Sequence, residues 1–160
     1  MKKSVLMGLL LLGSSSAFAG VQDYIGRYDL QREELKDGTF CYEGLIVRQE
    51  GKELSLYRSD ITDFALVKSE LNSSREVRTS HGEAMTTTKG KDSVTLKDDG
   101  SLVFQFSGIE SILGVPASRV KDAVALKLSD DKNTLFAVRK TADGLAGLNR
   151  GEARCVYKRQ

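Results

Sequence analysis

The sequence predicts an all-β fold: a single antiparallel β-barrel or sandwich of about eight to ten short strands. Short runs of alternating apolar and polar residues recur at even spacing, and turn-forming residues separate them. The two cysteines lie in the second and the last of these runs, at Cys41 and Cys155. A bond between them would favour a barrel, in which the first and last strands become neighbours.

Targeting signals occupy the amino terminus. Met1–Lys3 is basic, Val5–Leu12 is apolar apart from one glycine, and Ala17–Ala19 has the Ala-x-Ala form of a cleavage site. The alternative is a membrane anchor, but the apolar run is well short of the roughly 18 residues that a span needs. We therefore expect residues 1–19 to be a signal peptide and residues 20–160 to form one barrel domain, either periplasmic or secreted.

The charge balance narrows the range of partners. The formal charge of +2 comes from Lys2 and Lys3, and without them 22 basic and 22 acidic residues remain. Nucleic acids and anionic membrane surfaces attract proteins with a basic excess, so we expect no nucleic-acid partner. No apolar run of the mature chain reaches membrane length, so we also expect no membrane span.

Cysteine usage predicts a Cys41–Cys155 disulfide, because exported proteins fold in an oxidising compartment. The alternative is a pair of buried free thiols. Two cysteines and one histidine are too few for the usual zinc ligand sets, so we expect no metal and no cofactor.

The first half of the domain contains four strand-like runs. They are rich in β-branched and aromatic residues or alternate between apolar and polar, and Gly44 within the second is a candidate bulge. The four runs are Asp23–Leu30, Thr39–Arg48, Leu54–Tyr57 and Asp63–Val67. Gln31 to Gly38 is charged and ends in Asp-Gly, which predicts a turn.

Two hairpins are predicted in the middle of the chain. Arg75–Thr79 and Ala84–Thr88 are polar and predict an exposed or edge hairpin. Ser93–Lys97 and Ser101–Phe106 alternate on either side of Asp98–Gly100. An Asp-Gly turn between alternating runs is a strong hairpin signal.

The segment from Ser107 to Ser118 has a different character. It is apolar but contains Gly108, Gly114 and Pro116, which predict a short helical turn or a covering loop. Its large apolar residues are candidate contacts for a ligand or a partner: Ile109, Ile112, Leu113 and Val115. The alternative is a loop that packs over the barrel end and only closes the core.

The last part of the domain predicts a hairpin, a loop and a final strand. A strand from about Val124 turns through Ser129–Asn133 into Thr134–Val138. Thr141–Gly151 contains three glycines and predicts a loop, after which the last strand carries Cys155.

Gly26-Arg27-Tyr28, in the first predicted strand, resembles the Gly-x-Trp opening of lipocalin-like (calycin) barrels, with Tyr28 in place of the tryptophan. The resemblance implies an up-and-down barrel whose apolar interior holds a small ligand.

Candidate catalytic residues are few. His81 is the single histidine and lies beside hydroxyl and carboxylate side chains, but the partners of a catalytic triad usually come from distant elements. The acidic pairs at Glu33, Asp98 and Asp130 lie in predicted turns, where carboxylates cap the backbone. We therefore expect no enzymatic activity.

Three functions remain, of which a hydrolase, supported only by His81 and scattered carboxylates, ranks third. The first is an exported, non-enzymatic β-barrel that binds a small apolar ligand. The alternative is a periplasmic protein-binding module, an inhibitor or an envelope accessory protein, which would use the 108–117 loop and the 69–90 hairpin as contact surfaces.

Overall fold

The fold is a nearly closed barrel of ten antiparallel strands, as the alternation predicts. A computed structural model describes residues 20–81 and 85–160, so the predicted signal peptide lies outside the described residues. The strands are β1 (Gly26–Lys36), β2 (Gly44–Glu50), β3 (Glu53–Arg58), β4 (Val67–Glu70), β5 (Ser73–His81), β6 (Thr86–Leu96), β7 (Leu102–Ile112), β8 (Val115–Leu128), β9 (Thr134–Asp143) and β10 (Asn149–Arg159). A short 3₁₀ turn, Leu145–Gly147, precedes the last strand.

The strands form one sheet in the order β4-β3-β2-β1-β10-β9-β8-β7-β6-β5. Most neighbours in the sheet are also neighbours in the chain and are joined by short turns. The exception is β1, which pairs with β10 from Tyr28 opposite Arg159 to Lys36 opposite Glu152. The prediction that the first and last strands adjoin is confirmed.

The barrel closes at a seam between β4 and β6. The chain passes directly from one edge of the sheet, β4, to the other edge, β5. Leu71 forms a parallel bridge to Val94, and the Asn72 amide donates to the Val94 carbonyl at 2.7 Å. The Lys68 amide donates at 3.0 Å to the Asp92 carboxylate, so a side chain replaces a backbone acceptor where the two strands separate.

The core lies inside the barrel because alternate residues of each strand point inward. Tyr28, Phe104, Leu126, Leu135 and Tyr157 are almost fully buried there. The buried tyrosine hydroxyls are satisfied, since that of Tyr28 donates to the Tyr24 carbonyl at 2.9 Å. Burial of side chains of this size contributes about 1.5–3 kcal/mol each.

The prediction of a strand over Thr39–Arg48 is half wrong, because β2 begins only at Gly44. A side chain at Gly44 would lie 2.5 Å from the Ser59 hydroxyl and 3.0 Å from the Tyr28 carbonyl. Residues 38–43 instead leave the sheet, and Thr39, Cys41 and Tyr42 are buried against β9 and β10. Tertiary contacts in the interior override the β-propensity of this segment.

The prediction of a turn or loop over Ser107–Ser118 is wrong. The segment is the end of β7 and the start of β8, joined by a tight turn in which Leu113 and Gly114 have φ of 51° and 81°. Positive φ at both central residues is the geometry that suits a two-residue hairpin. β8 therefore begins at Val115 rather than near Val124.

Glycine at position 108 serves a close approach between strands. Gly90 and Gly108 are directly opposed on β6 and β7, and the Phe106 ring covers both. A side chain at Gly90 would lie 2.5 Å from the Ser107 carbonyl and 2.6 Å from that ring. The glycines that suggested a broken strand thus allow these two strands to pair.

Gly90→Ala should lower the free energy of unfolding by about 1–3 kcal/mol, because the added methyl group meets backbone that has no room to move. Urea unfolding followed by circular dichroism measures this. Gly20→Ala is the matched control, since an added Cβ at Gly20 contacts nothing within 4 Å. Equal stabilities of the two variants would contradict the close approach.

The buried Asp92 carboxyl at the seam should make the free energy of unfolding depend on pH. Burial raises the pKa of its carboxyl above the ordinary 3.8, although the Lys68 amide and Arg75 oppose the shift. A carboxyl whose folded pKa is raised binds more protons in the native state, so its contribution to stability rises as pH falls. The unfolding free energy of the wild type should therefore increase relative to Asp92→Asn between about pH 7 and pH 4. A constant difference across that range would show that Asp92 is not buried as an ionised group.

Candidate functional site

The barrel interior is the first place to look for a ligand, and it is occupied by the protein itself. Buried core side chains line it. The segment Thr39–Tyr42, hereafter the plug, packs against the inner faces of β9 and β10, with Thr39, Cys41 and Tyr42 buried and Phe40 half-exposed. The Cys41–Cys155 disulfide fastens the plug to the inner face of β10, with a Cα–Cα distance of 5.9 Å, and confirms the predicted pairing. The hydroxyls of Thr39 and Thr141 share a hydrogen bond that ties the plug to β9.

Arg139 of β9 is the main polar contact of the plug. Its guanidinium donates to both carboxylate oxygens of Asp122, at 3.1 and 2.7 Å, and to the Phe40 carbonyl at 3.1 Å. Its charged carbon lies 4.6 Å from the centre of the Phe40 ring and 4.3 Å from that of Tyr42. The side chain is 11% exposed. A planar guanidinium suits both the two-pronged ion pair and the stacking.

The tyrosines around the plug act as hydrogen-bond donors. Burial raises the pKa of Tyr42 far above its ordinary value, and the neighbouring Asp122 carboxylate adds to the effect while Arg139 opposes it. Tyr42 therefore stays protonated and donates to Asp122 at 3.3 Å. Tyr157, whose pKa is also raised by burial, donates to the Tyr42 carbonyl at 3.0 Å. The polar side chains of Asp122, Arg139 and Tyr157 therefore hold the plug in place through hydrogen bonds.

The four residues predicted to contact a ligand or partner lie at the far end of the β7–β8 hairpin. Leu113 and Val115 are 69% and 66% exposed, and Val115 is paired with Ile112 across the hairpin. Ile109 lies further back on β7, opposite Arg119. The structure therefore groups three of them at the tip and places Ile109 behind it.

Three further apolar residues at this end were missed by the sequence analysis. Met85 adjoins the tip, because its carbonyl accepts the Leu113 amide at 3.2 Å. Leu145 and Leu148 follow β9 in a loop that the Gly144 amide fastens to the Ser118 hydroxyl at 2.8 Å. They are 75% and 78% exposed. Their glycine-rich surroundings suggested only a flexible connection. We call the whole group the apolar end: Met85, Ile112, Leu113, Val115, Leu145 and Leu148.

The acidic pairs are part of the backbone architecture. Asp99 accepts the amide and hydroxyl of Ser101, at 3.0 and 2.6 Å, which lowers the pKa of its carboxyl. Asp131 is similarly held by Ser129 and Asn133. Glu33 was predicted in a turn, but it lies exposed in β1, which runs on to Lys36.

The described residues offer neither a metal cluster nor a spanning helix. Within residues 20–81 and 85–160, no group of three or more histidine, cysteine or acidic side chains is arranged to hold a metal ion. Over the same ranges, no helix has the length and apolar character to cross a membrane. His81 is the last residue of β5.

Comparisons with known proteins give a distant likeness of structure. No protein-family model and no curated protein sequence matches the chain. Among solved structures, the chain is similar to a secretory abundant heat soluble (SAHS) protein from Ramazzottius varieornatus, with 17% sequence identity and a TM-score of 0.46. The alignment covers 86% of this chain and 96% of that chain. We draw no functional argument from a likeness at this level.

Arg139→Ala should lower the free energy of unfolding by about 2–4 kcal/mol, because it leaves the Asp122 carboxylate and the Phe40 carbonyl without their donor. Denaturant unfolding of the oxidised protein measures the loss. The matched control is Arg27→Ala, which removes an exposed pair at 3.9 Å and should cost less than about 0.5 kcal/mol. Similar losses for the two variants would contradict the central role of Arg139.

Proposed function

We propose that this chain is an exported, non-enzymatic protein-binding module whose contact surface is the apolar end. The observation that carries the proposal is the exposure of four large apolar side chains at the tip of the β7–β8 hairpin, Met85, Ile112, Leu113 and Val115, with two more, Leu145 and Leu148, in the loop fastened to the same strand behind it. Single exposed apolar residues are ordinary, but several of them at one end of a molecule are typical of interaction sites. The predicted signal peptide and the disulfide support the export part of the proposal.

The plug, fastened to the inner faces of β9 and β10, favours this function over a small apolar ligand held inside the barrel. A ligand there would have to displace the plug, which is held by a covalent bond to β10 and by the hydrogen bond from Arg139 to the Phe40 carbonyl. The apolar end needs no such rearrangement. The backbone of its hairpin tip is fixed by the pairing of Ile112 with Val115, so little conformational entropy is lost there when a partner covers it.

Site-specific photo-cross-linking tests the proposal. A photoreactive amino acid replaces Leu113 or Val115, and the full chain is expressed in the cell that exports it. We expect a defined cross-linked product with a second protein at both positions, because both side chains face the partner. The control position is Phe64, which is 78% exposed but lies in the loop between β3 and β4.

Two results would contradict the proposal. One is the same set of products from Phe64 as from Leu113, which would indicate non-specific collisions. The other is no product from the tip positions at all. A product of twice the chain mass would make the partner a second copy, and sedimentation of the purified protein would then show a dimer that Leu113→Ser with Val115→Ser abolishes. The stability of that double variant should match the wild type, because both side chains are exposed.

A further inference from the structure

The geometry points to a second binding site, a groove of about 890 Å³ on the outer face of β7 to β10, and we propose that it takes a small amphiphilic anion. The groove borders the plug at Thr141 and the apolar end at Gly147, but its lining contains no residue of either group. It is too large for a bare inorganic ion and is within the size range of small-molecule sites.

The alternation of the strands places the groove outside the barrel. Phe104, Val124 and Ala137 are buried and point inward. The residues that follow Phe104 and Val124 in the chain, Gln105 and Ala125, line the groove and therefore point outward. A ligand can reach this surface without any movement of the plug.

The floor of the groove is formed by short apolar side chains. Val138, Ala125 and Val103 are directly paired across β9, β8 and β7 and form one row of the floor. Ala123 belongs to the next row, between Lys140 and Gln105. These short side chains are only half-buried by their longer neighbours, so they leave room for an apolar group to lie against the sheet.

A third row of paired residues, across β10, β9 and β8, makes one end of the groove basic. Arg150 and Lys121 are both paired with Ala142, so two cations stand on either side of a methyl group. Their Cα atoms are two strand spacings apart, about 10 Å. Arg119 lines the groove at the same end. Within residues 20–81 and 85–160, none of these three side chains forms an ion pair.

The overall charge of the lining is also positive. Five basic side chains and two acidic ones line the groove. Of the acidic two, Glu152 is already bound to Lys140 at 3.4 Å and to Arg154 at 3.2 Å. The free cations are therefore available to a ligand, and the balance favours an anion.

The separation of charge and apolar surface defines the ligand. From the row of Ala142 to the row of Val138 is four residues along β9, about 14 Å. A molecule with one carboxylate, sulfate or phosphate group and a medium-length apolar body would place the anion between Lys121 and Arg150 and the body over Ala123 and Ala125. A bare anion would not use the floor, and a neutral apolar molecule would not use the cations.

Isothermal titration of the oxidised mature chain with sodium decanoate, below its micellar concentration, tests the site. We expect saturable binding with one site per chain. Decyl maltoside has the same alkyl chain without the charge, and inorganic sulfate has charge without the chain. Each should bind at least tenfold more weakly than decanoate, which is a difference of about 1.4 kcal/mol.

Variants locate the binding. Lys121→Gln with Arg150→Gln should weaken decanoate binding about tenfold, because two charge-assisted contacts are lost at a partly exposed site. Lys158→Gln is the matched control, since Lys158 is exposed on the same face of β10, eight residues from Arg150, and should change the affinity less than twofold. Ala123→Leu fills the floor and should also abolish saturation.

Three results would overturn the proposal: no saturable binding to the wild type, equal affinity for decanoate and decyl maltoside, or equal affinity of the double-glutamine variant and Lys158→Gln. Leu113→Ser with Val115→Ser should bind decanoate like the wild type. If it does not, the apolar end rather than the groove is the site of binding, and the proposal also fails.

Discussion

The bond between Cys41 and Cys155 is the constraint on which the rest of the structure depends. It holds the link between β1 and β2 inside the barrel, where the Phe40 carbonyl meets Arg139. It also joins residues 114 apart in the chain, and in the chain-entropy model closing so long a loop destabilises the unfolded state by up to about 4–5 kcal/mol. The buried ion pair of Arg139 is tolerated because the plug supplies the missing acceptor and two aromatic faces.

The molecule has two parts with different physical character. In one, the strands enclose tyrosines and leucines and the polar groups are satisfied internally. In the other, β5 to β8 extend past the seam as long hairpins, and their two faces and tip meet solvent. The closed part supplies the stability that keeps the extended part rigid. The lipocalin-type resemblance would place a ligand in the barrel interior. Both proposed contact surfaces lie outside that interior.

Local patterns predicted the strands well, and long-range contacts explain the errors. The Asp98–Gly100 hairpin and the pairing of the two cysteines depend on neighbours in sequence or on compartment, and both are confirmed. Thr39 to Glu43 has good β-propensity, yet the disulfide and Arg139 hold it away from the sheet. Gly108 suggested a broken strand because its partner, Gly90, lies eighteen residues away. The groove needed the register of four strands, which no local pattern contains.

The pairing of β1 with β10 has a consequence for how the chain acquires its structure. Strands β5 to β9 find their partners within about thirty residues, so their hairpins can form while the chain is still emerging. On one side, β1 cannot pair early, since its partner there, β10, is the last of the ten described strands to be synthesised. One edge of the amino-terminal half therefore stays open until β10 has been synthesised. The unpaired edge of β1 is polar and charged from Gln31 to Glu34. Charged side chains on an open strand edge disfavour pairing with other chains before β10 is in place.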